Sequence, residues 1–217
     1  MKRHPLRTSA ALLLAMLAAC VSPTAPDAIT LYQSYRVPFR MPADPHAVVV
    51  KVSLGEQRAY VTEHGRVLMT MPVTVGGPDN PTPSGTFRIT RKIDRHRSPV
   101  HGFAVRAGEA RRSTAAEVPA GWRFVGMPLP YWCEIAPDVG VHTGWIRHQP
   151  ASAGTIRMHE NIAPVFFAMV APGTRVDIAC AHPEDQSHGF IPLPPDSGPL
   201  PDRPDAFYLA DDWFSPR

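Results

Sequence analysis

The sequence predicts a mostly β domain, of the sandwich or barrel-like kind, with one or two short helices. Short segments rich in β-branched residues follow one another between residues 48 and 91, and glycine and proline turns separate them. Only one later segment has the capped, apolar pattern of a good helix. A length of 217 residues suits one domain with its own core, and a net charge of +3 is too small to indicate nucleic-acid binding.

Four strands are predicted in the first half of the domain. The first two cover residues 48–54 and 57–62, where β-branched residues are frequent and apolar and polar residues partly alternate. Gly65 supplies the positive φ of a hairpin turn, after which 67–75 returns. A fourth strand is predicted at 85–91, beyond a glycine- and proline-rich turn.

The second half of the domain contains the predicted helix and a closing strand. Asn161 can cap this helix, residues 165–170 are apolar, and Pro172 and Gly173 end it. A strand is predicted at 174–179. The chain beyond His182 is rich in proline and predicts little regular structure, although its apolar stretches at 207–209 and 213–214 are expected to dock on the domain.

The first twenty residues resemble the signal peptide of a bacterial lipoprotein. Lys2, Arg3 and Arg7 precede an apolar run of about ten residues, half of what a membrane-spanning helix needs. The run ends in Leu17-Ala18-Ala19-Cys20, which resembles a lipobox and implies that Cys20 carries a lipid anchor. An ordinary signal peptide with a chance cysteine is the alternative. No aspartate follows Cys20, which by resemblance to enterobacterial sorting rules favours the outer membrane.

Two further features have more than one interpretation. Cys133 and Cys180, in an exported chain, are either a disulfide or two buried thiols. The basic residues at 91–97 form either a solvated face or a contact with an acidic polymer such as the cell wall. The cysteine spacing indicates no metal site.

Three segments, in order and at these separations, resemble parts of one family. The first is VKVSLGEQRAYV at 50–61; the second is PVTVG at 72–76 with TPSGTF at 82–87; the third is GVHTG at 140–144 with PASAGTIRM at 150–158. They resemble the opening hairpin, the strand–loop–strand unit and the active-site signature "Ser-His-Gly-Cys-Ile-Arg-Met" of the YkuD-type L,D-transpeptidase catalytic domain. The resemblance covers about residues 46–179 and implies the β fold of that family.

The resemblance also implies an active site. His142 stands at the position of the family's general base, and the carbonyl of Thr143 orients the imidazole in related enzymes. The nucleophile position falls thirteen residues later, at Thr155, and backbone N–H groups of Gly154 and Thr155 are expected to stabilise the oxyanion. The alternative for His142 is a histidine at the end of a strand with no catalytic task.

Thr155 departs from the family pattern, because the family keeps a cysteine there. A thiol has a pKa near 8.5 and is nucleophilic when partly ionised. A threonine hydroxyl is a far weaker acid, and its extra methyl group crowds the attack. Thr155 is therefore either a nucleophile activated by His142, as in serine hydrolases, or a turn residue with a satisfied hydroxyl.

The resemblance places other residues around the same groove. Arg157 follows the nucleophile position and either holds a substrate carboxylate or braces the loop. Ser152, Met127, Tyr131 and Trp132 are predicted substrate-binding residues, and the alternative for the aromatic pair is the core. Cys133, next to Trp132, is either a relocated nucleophile or a buried thiol.

The predicted organisation is a signal peptide at 1–20, a tether at 21–45, an L,D-transpeptidase-like domain at 46–180 and a proline-rich extension at 181–217. The resemblance implies acyl transfer on peptidoglycan stem tetrapeptides, with the domain in the periplasm. The alternative is a catalytically impaired lipoprotein of the same fold that binds peptidoglycan. The resemblance implies no metal or organic cofactor, and the sequence leaves the oligomeric state open.

Overall fold

The computed structural model of the chain describes residues 26–188 and 191–214. The predicted signal peptide, including Cys20, lies outside the described residues. The strands are β1 (Val48–Ser53), β2 (Arg58–Glu63), β3 (Arg66–Thr74), β4 (Gly85–Arg88), β5 (Arg91–Arg106), β6 (Glu109–Thr114), β7 (Arg123–Ala136), β8 (Val139–Thr143), β9 (Ile156–Met158) and β10 (Arg175–Ala179). The α-helices are α1 (Ala28–Ser34), α2 (Ala163–Met169), α3 (Glu184–Ser187) and α4 (Asp205–Leu209).

The described strands form one sheet in the order β4-β10-β1-β2-β3-β9-β8-β7-β5-β6. Strand β3 joins the two halves, since it pairs with β2 on one side and with β9 on the other. Two pairs are parallel: β1 with β10, and β8 with β9. The β8–β9 pair matters for the site, because its register sets Val141 beside Ile156 and so brings Thr155, the residue before β9, close to His142.

One hydrophobic core fills the space between the two halves of the sheet. Its buried side chains come from β1, β2 and β3 in one half, from β7, β8 and β9 in the other, and from helix α2. Phe166 of α2 and Met71 of β3 have no exposed surface. Strands from both halves share this core, so the mostly β, sandwich-like fold predicted from the sequence is confirmed.

The two longest strands, β5 and β7, were not predicted. Both contain proline, which favours a turn over a strand in sequence. Pro128 and Pro130 pair with Arg97 and Arg95 of β5 on one side, whereas β8 pairs only with the later residues of β7. The missing N–H groups of these prolines are therefore tolerated, because that part of β7 has a strand on one side only.

The tether predicted at 21–45 is not a plain linker. Residues 28–34 form helix α1, which Asp27 caps by accepting a hydrogen bond from the backbone N–H of Thr30. Tyr32 on this helix is 2% exposed, and its hydroxyl accepts a hydrogen bond from the N–H of Ile146. The segment before the domain therefore packs against the loop that follows β8.

The proline-rich extension has more structure than predicted. It contains α3, α4 and a 3-10 turn at Asp211–Phe214, and Tyr208 is buried. The expected docking of residues 207–209 is thus confirmed.

Across residues 26–188 and 191–214, no helix combines the length and the apolar character that crossing a membrane requires.

Candidate functional site

His142 lies at the carboxyl end of β8 and is 4% exposed. Gly140 of β8 leaves room for a neighbouring side chain, because an added Cβ there would lie only 2.7 Å from the Trp132 ring. The absence of a side chain there lets the Trp132 indole lie across β8, with its centroid 5.8 Å from that of the His142 ring. The glycine two residues before the histidine therefore helps to enclose the imidazole.

The hydrogen bonds of His142 identify its tautomer. Its Nδ1 lies 2.7 Å from the carbonyl oxygen of Thr143, and a carbonyl only accepts, so Nδ1 carries the proton and donates. In the neutral ring Nε2 is then the acceptor. It lies 2.9 Å from Oγ1 of Thr155, so the threonine hydroxyl donates to the imidazole.

Burial lowers the pKa of His142 to about 3. The hydrogen bond to the Thr143 carbonyl opposes this shift, while the positive charge of Arg157 and nearby His96 add to it. The imidazole is therefore neutral at pH 7, and its Nε2 lone pair is available to accept a proton. The same environment opposes the imidazolium that would form once the proton had moved.

Two hydroxyl groups hold the turn before Thr155. Ser152 donates from Oγ to the carbonyl oxygen of Thr155 itself. Thr82, from the β3–β4 connection, donates to the carbonyl of Gly154 at 3.1 Å and accepts from the N–H of Gly76 at 2.8 Å. The turn is therefore anchored to the β3–β4 connection by side chains, and its position does not depend on a ligand.

Gly154 has a φ of +93°, a conformation that favours glycine. Among the residues that the structure describes, the backbone N–H groups of Gly154 and Thr155 donate to no protein acceptor. Unpaired N–H groups beside a nucleophile are what an oxyanion hole requires. The turn therefore offers two backbone N–H groups, at Gly154 and Thr155, that are unpaired among the residues described.

Arg157 lies beside His142 in the parallel register of β8 and β9. Its side chain runs along Gly144, where an added Cβ would lie 2.9 Å from Cγ and Cδ of the arginine. Burial, and then the charge of Arg147, lower its pKa, but an arginine stays protonated in proteins. Within residues 26–188 and 191–214 no acceptor pairs with its guanidinium. Arg157 is therefore a half-buried, unpaired cation.

These residues surround one cleft of about 700 Å³. Six of the predicted site residues line it: Met127, Trp132, His142, Thr143, Thr155 and Arg157. Ser152 and Gly154 do not line the cleft, although both belong to the turn before Thr155. The volume is in the range of pockets that enclose a small molecule or a short peptide.

The structure contradicts the predicted position of Tyr131. It was predicted to line the groove, but its ring packs against Phe167 with centroids 5.5 Å apart and touches the hydrophobic core. Trp132 lines the cleft, whereas Tyr131, whose backbone has a φ of +57°, does not. The alternative interpretation, an aromatic core residue, is the one that the structure supports for Tyr131.

Cys133 and Cys180 are free thiols outside the site. Cys133 has no exposed surface and belongs to the core, and burial raises its pKa to about 12. Neither Cys133 nor the exposed Cys180 lines the cleft. Three hypotheses are therefore wrong: a disulfide between Cys133 and Cys180, a relocated nucleophile at Cys133, and a buried thiol at Cys180.

The C-terminal extension supplies a wall of the cleft that the sequence did not predict. Seven of its residues line the cavity, namely Ser197, Gly198, Leu200, Pro201, Asp202, Tyr208 and Trp213. The apolar stretch around Tyr208 indicated docking, but no sequence feature indicated where.

No cluster of three or more histidine, cysteine or acidic side chains suited to a metal occurs in the described part of the chain.

One known protein family matches this chain. The family model described as the L,D-transpeptidase catalytic domain (YkuD) matches residues 47–178, more than half of the chain. No curated protein is significantly similar in sequence.

Similar solved structures include an L,D-transpeptidase from Mycobacterium smegmatis, with 20% identity over 61% of this chain and 58% of that chain and a TM-score of 0.46. One from Stackebrandtia nassauensis has 19% identity over 72% and 66%, with a TM-score of 0.47. L,D-transpeptidase 1 from Mycobacterium tuberculosis has 22% identity over 61% and 61%, with a TM-score of 0.44. This chain covers less than two thirds of each.

Proposed function

We propose a function from one premise: the chain belongs to the L,D-transpeptidase catalytic domain (YkuD) family. That family acts on peptidoglycan peptides in the cell envelope. We propose that this protein binds peptidoglycan stem tetrapeptides in the cleft and transfers their acyl group. The observation that carries the proposal is the 2.9 Å hydrogen bond from the Thr155 hydroxyl to Nε2 of His142.

In the proposed reaction Thr155 is the nucleophile. Its Oγ1 bonds to the peptide carbonyl carbon while its proton passes to Nε2 of His142. The N–H groups of Gly154 and Thr155 hold the oxyanion. The C–N bond then breaks, the leaving amine takes the proton from His142, and an ester on Thr155 remains. An acceptor amine or water then attacks that ester and gives a proton to Nε2 of His142, which passes it to Oγ1 as the ester bond breaks and Thr155 is released.

Arg157 is proposed to bind a carboxylate of the stem peptide. Its guanidinium is half-buried, lines the cleft and has no partner among the described residues. A planar guanidinium pairs well with a carboxylate through two parallel hydrogen bonds. Met127 and Trp132 would contact the apolar parts of the same peptide.

A second candidate function is favoured by the electrostatics of His142. In serine hydrolases a buried carboxylate stabilises the imidazolium, whereas here Nδ1 faces only the Thr143 carbonyl. The strongly lowered pKa opposes proton transfer from an alcohol. The second candidate is therefore a catalytically impaired lipoprotein that binds stem peptides without turnover.

One experiment separates these candidates. The full chain carrying Cys20→Ala is incubated with a disaccharide-tetrapeptide, and binding and products are measured by calorimetry and mass spectrometry. Cross-linked or D-residue-exchanged products that disappear in Thr155→Val support acyl transfer, because valine matches threonine in shape but has no hydroxyl. Binding without products supports the impaired module. Absence of both would contradict the proposed function.

The location of the protein is part of the proposal. We propose that Cys20 carries a lipid, that this lipid holds the chain at a membrane, with the outer membrane favoured, and that the domain lies in the periplasm. The support is the resemblance of residues 17–20 to a lipobox.

A further inference from the structure

The C-terminal segment at residues 196–214, called here the wall segment, contacts both sides of the cleft. On one side the N–H of Ser197 donates to the carbonyl of Ile146 at 3.0 Å, and Asp196 accepts from the N–H of His148 at 2.9 Å. On the other side Arg112 of β6 pairs with Asp202 at 2.5 Å. One continuous stretch of chain therefore joins the loop after β8 to the β5–β6 hairpin.

Arg97 of β5 is the main anchor of the wall segment. Its guanidinium donates to the carbonyls of Tyr208 at 3.0 Å and Ala210 at 3.2 Å, and it pairs with Asp211 at 3.3 Å. It also donates to Gly126 of β7 at 3.0 Å. A planar group with five donors is suited to hold several carbonyls at once. Two residues of the basic cluster at 91–97, Arg95 and Arg97, thus pair with Asp211 of the chain itself.

The wall segment reaches the loop that follows β8 through Tyr208. Its hydroxyl accepts a hydrogen bond from the indole N–H of Trp145 at 3.3 Å and donates to Asp202 at 2.7 Å. Trp145 comes three residues after His142 in sequence. Tyr208, Trp213, Trp145, Thr155 and Arg157 all line the same cavity, so the wall segment helps to determine the space in front of Thr155.

We propose that the wall segment is a specificity element: it limits the size of the group that reaches Thr155 and restricts the cleft to a single, unbranched stem peptide. The identity of the peptide rests on the proposed function above, whereas the size limit rests only on the geometry of the wall segment. Arg97 is a positioning residue in this proposal, because it acts through the carbonyls that it holds. Trp213 and Tyr208 contact the bound chain directly.

The size limit is tested without any peptide. The full chain carrying Cys20→Ala, Cys180→Ser and Thr155→Cys has one reactive thiol in the cleft, since Cys133 is buried with a raised pKa. Its labelling rate is measured with a small reagent, iodoacetamide, and a bulky one, fluorescein maleimide. Adding Arg97→Met should raise the bulky-to-small rate ratio by about tenfold, corresponding to ~1.4 kcal/mol of steric barrier removed.

Arg88→Met is the matched control. Arg88 also donates to a carbonyl, that of Gly173 at 2.8 Å, but it lies on β4 away from the cleft. Its substitution should leave the rate ratio unchanged. If Arg97→Met lowers the melting temperature strongly, Trp213→Ala replaces it, because this substitution opens the wall segment without removing its anchor. An unchanged ratio in a folded Arg97→Met or Trp213→Ala variant overturns the size limit.

Peptide selection is tested separately with a linear tetrapeptide and a cross-linked stem dimer. Wild type should bind the linear peptide at least about tenfold more tightly, and Arg97→Met should reduce this preference. If the wild type binds neither peptide while Arg97→Met still raises the labelling ratio of the Thr155→Cys chain, the proposed function is contradicted and the size limit stands. Equal binding of both peptides by the wild type overturns the restriction to an unbranched stem.

Discussion

The Thr155 hydroxyl lies 2.9 Å from Nε2 of His142, whose other ring nitrogen is occupied by the carbonyl of Thr143. This arrangement aligns a hydroxyl with a neutral base, as a nucleophilic enzyme requires. It differs from a serine hydrolase in lacking a carboxylate behind the imidazole. The geometry of a nucleophilic centre is thus combined with a weak nucleophile and a weak base.

Thr155→Cys should create or greatly raise transpeptidase activity and carbapenem acylation. The turn, Gly154 and Arg157 remain in place, and a thiol gives up its proton far more easily than an alcohol. Mass spectrometry of the intact chain in the Cys20→Ala, Cys180→Ser background should show a carbapenem adduct on the introduced thiol and little adduct on wild-type Thr155.

The control for this prediction is His142→Ala in the Thr155→Cys chain. Removal of the base should slow acylation by about a hundredfold or more. An adduct on wild-type Thr155 would show that the threonine is already a competent nucleophile. An adduct on Cys133 would mean that the site has been assigned wrongly.

Arg157→Met should weaken binding of a stem peptide with a free C-terminal carboxylate by about tenfold or more, the cost of a lost charge-assisted hydrogen bond. Titration calorimetry measures this. The same peptide as a C-terminal amide should bind both proteins equally. Arg147→Met is the matched control with a smaller effect, because Arg147 is already paired with Asp196 at 3.2 Å. Equal loss with the amide would show that Arg157 only braces the loop.

The protein should lose stability as the pH falls from 6.5 to 5. Burial lowers the pKa of His142 to about 3 and that of His159 to about 4. Below pH 6.5 the unfolded chain binds protons at these residues and the folded chain does not, so protons favour unfolding. Each such histidine contributes a slope of up to about 1.4 kcal/mol per pH unit. Urea unfolding at several pH values measures the slope.

His159→Gln tests this pH dependence without touching the cleft. His159 donates to the carbonyl of Tyr32 at 2.8 Å and accepts from the N–H of Asn161 at 3.1 Å, and a glutamine amide has both a donor and an acceptor. The slope of the unfolding free energy against pH between 6.5 and 5 should fall by the contribution of one histidine, up to about 1.4 kcal/mol per pH unit. A slope equal to that of the wild type would rule out His159 as a contributor.

Two glycines of the site should respond differently to alanine. At Gly76 the new Cβ would lie 2.2 Å from the carbonyl oxygen of Asn80 and 2.5 Å from the N–H nitrogen of Thr82. Gly76→Ala should therefore cost about 3 kcal/mol, the upper end for overpacking. At Gly154 the nearest atom would be 3.8 Å away, so Gly154→Ala should cost only the positive-φ penalty of about 1–2 kcal/mol. Thermal unfolding compares the two, and the reverse order would contradict this reasoning.

Cys20→Ala should block lipidation and leave the precursor unprocessed by the lipoprotein peptidase. Labelling of cells with radioactive palmitate, followed by capture of the protein, measures this. Cys180→Ala is the control and should still be labelled, because Cys180 lies outside the lipobox-like segment. Palmitate that persists on the Cys20→Ala chain would disprove the lipoprotein prediction.

The site was predictable where its residues are close together in sequence. His142 and Thr155 were assigned from motifs at 140–144 and 150–158, and strands β8 and β9 overlap these two motifs. Local patterns were sufficient there because each motif carries its own turn and strand. Tyr131 was placed on the wrong side because a two-residue aromatic pair does not reveal which member faces the groove.

The wall segment and helix α1 were not predictable, since each depends on distant partners. Tyr208 is positioned by Arg97, which is 111 residues away, and Tyr32 by Ile146, which is 114 residues away. A proline-rich composition indicates neither contact. Arg97 resembled a solvated cation in sequence, and only the tertiary structure shows the carbonyls that it binds.

The parallel pairing of β1 with β10 has a consequence for the order of folding. Val49 pairs with Arg175 and Ser53 with Ala179, so β1 has no partner on that side until the ribosome has passed residue 179. A growing chain therefore exposes an open strand edge, which is prone to pair with other chains. Such long-range pairing is also slow, because it closes a long loop. The complete sheet can therefore form only after residue 179 has been made, and until then the free edge of β1 is open to a factor that binds unpaired strands.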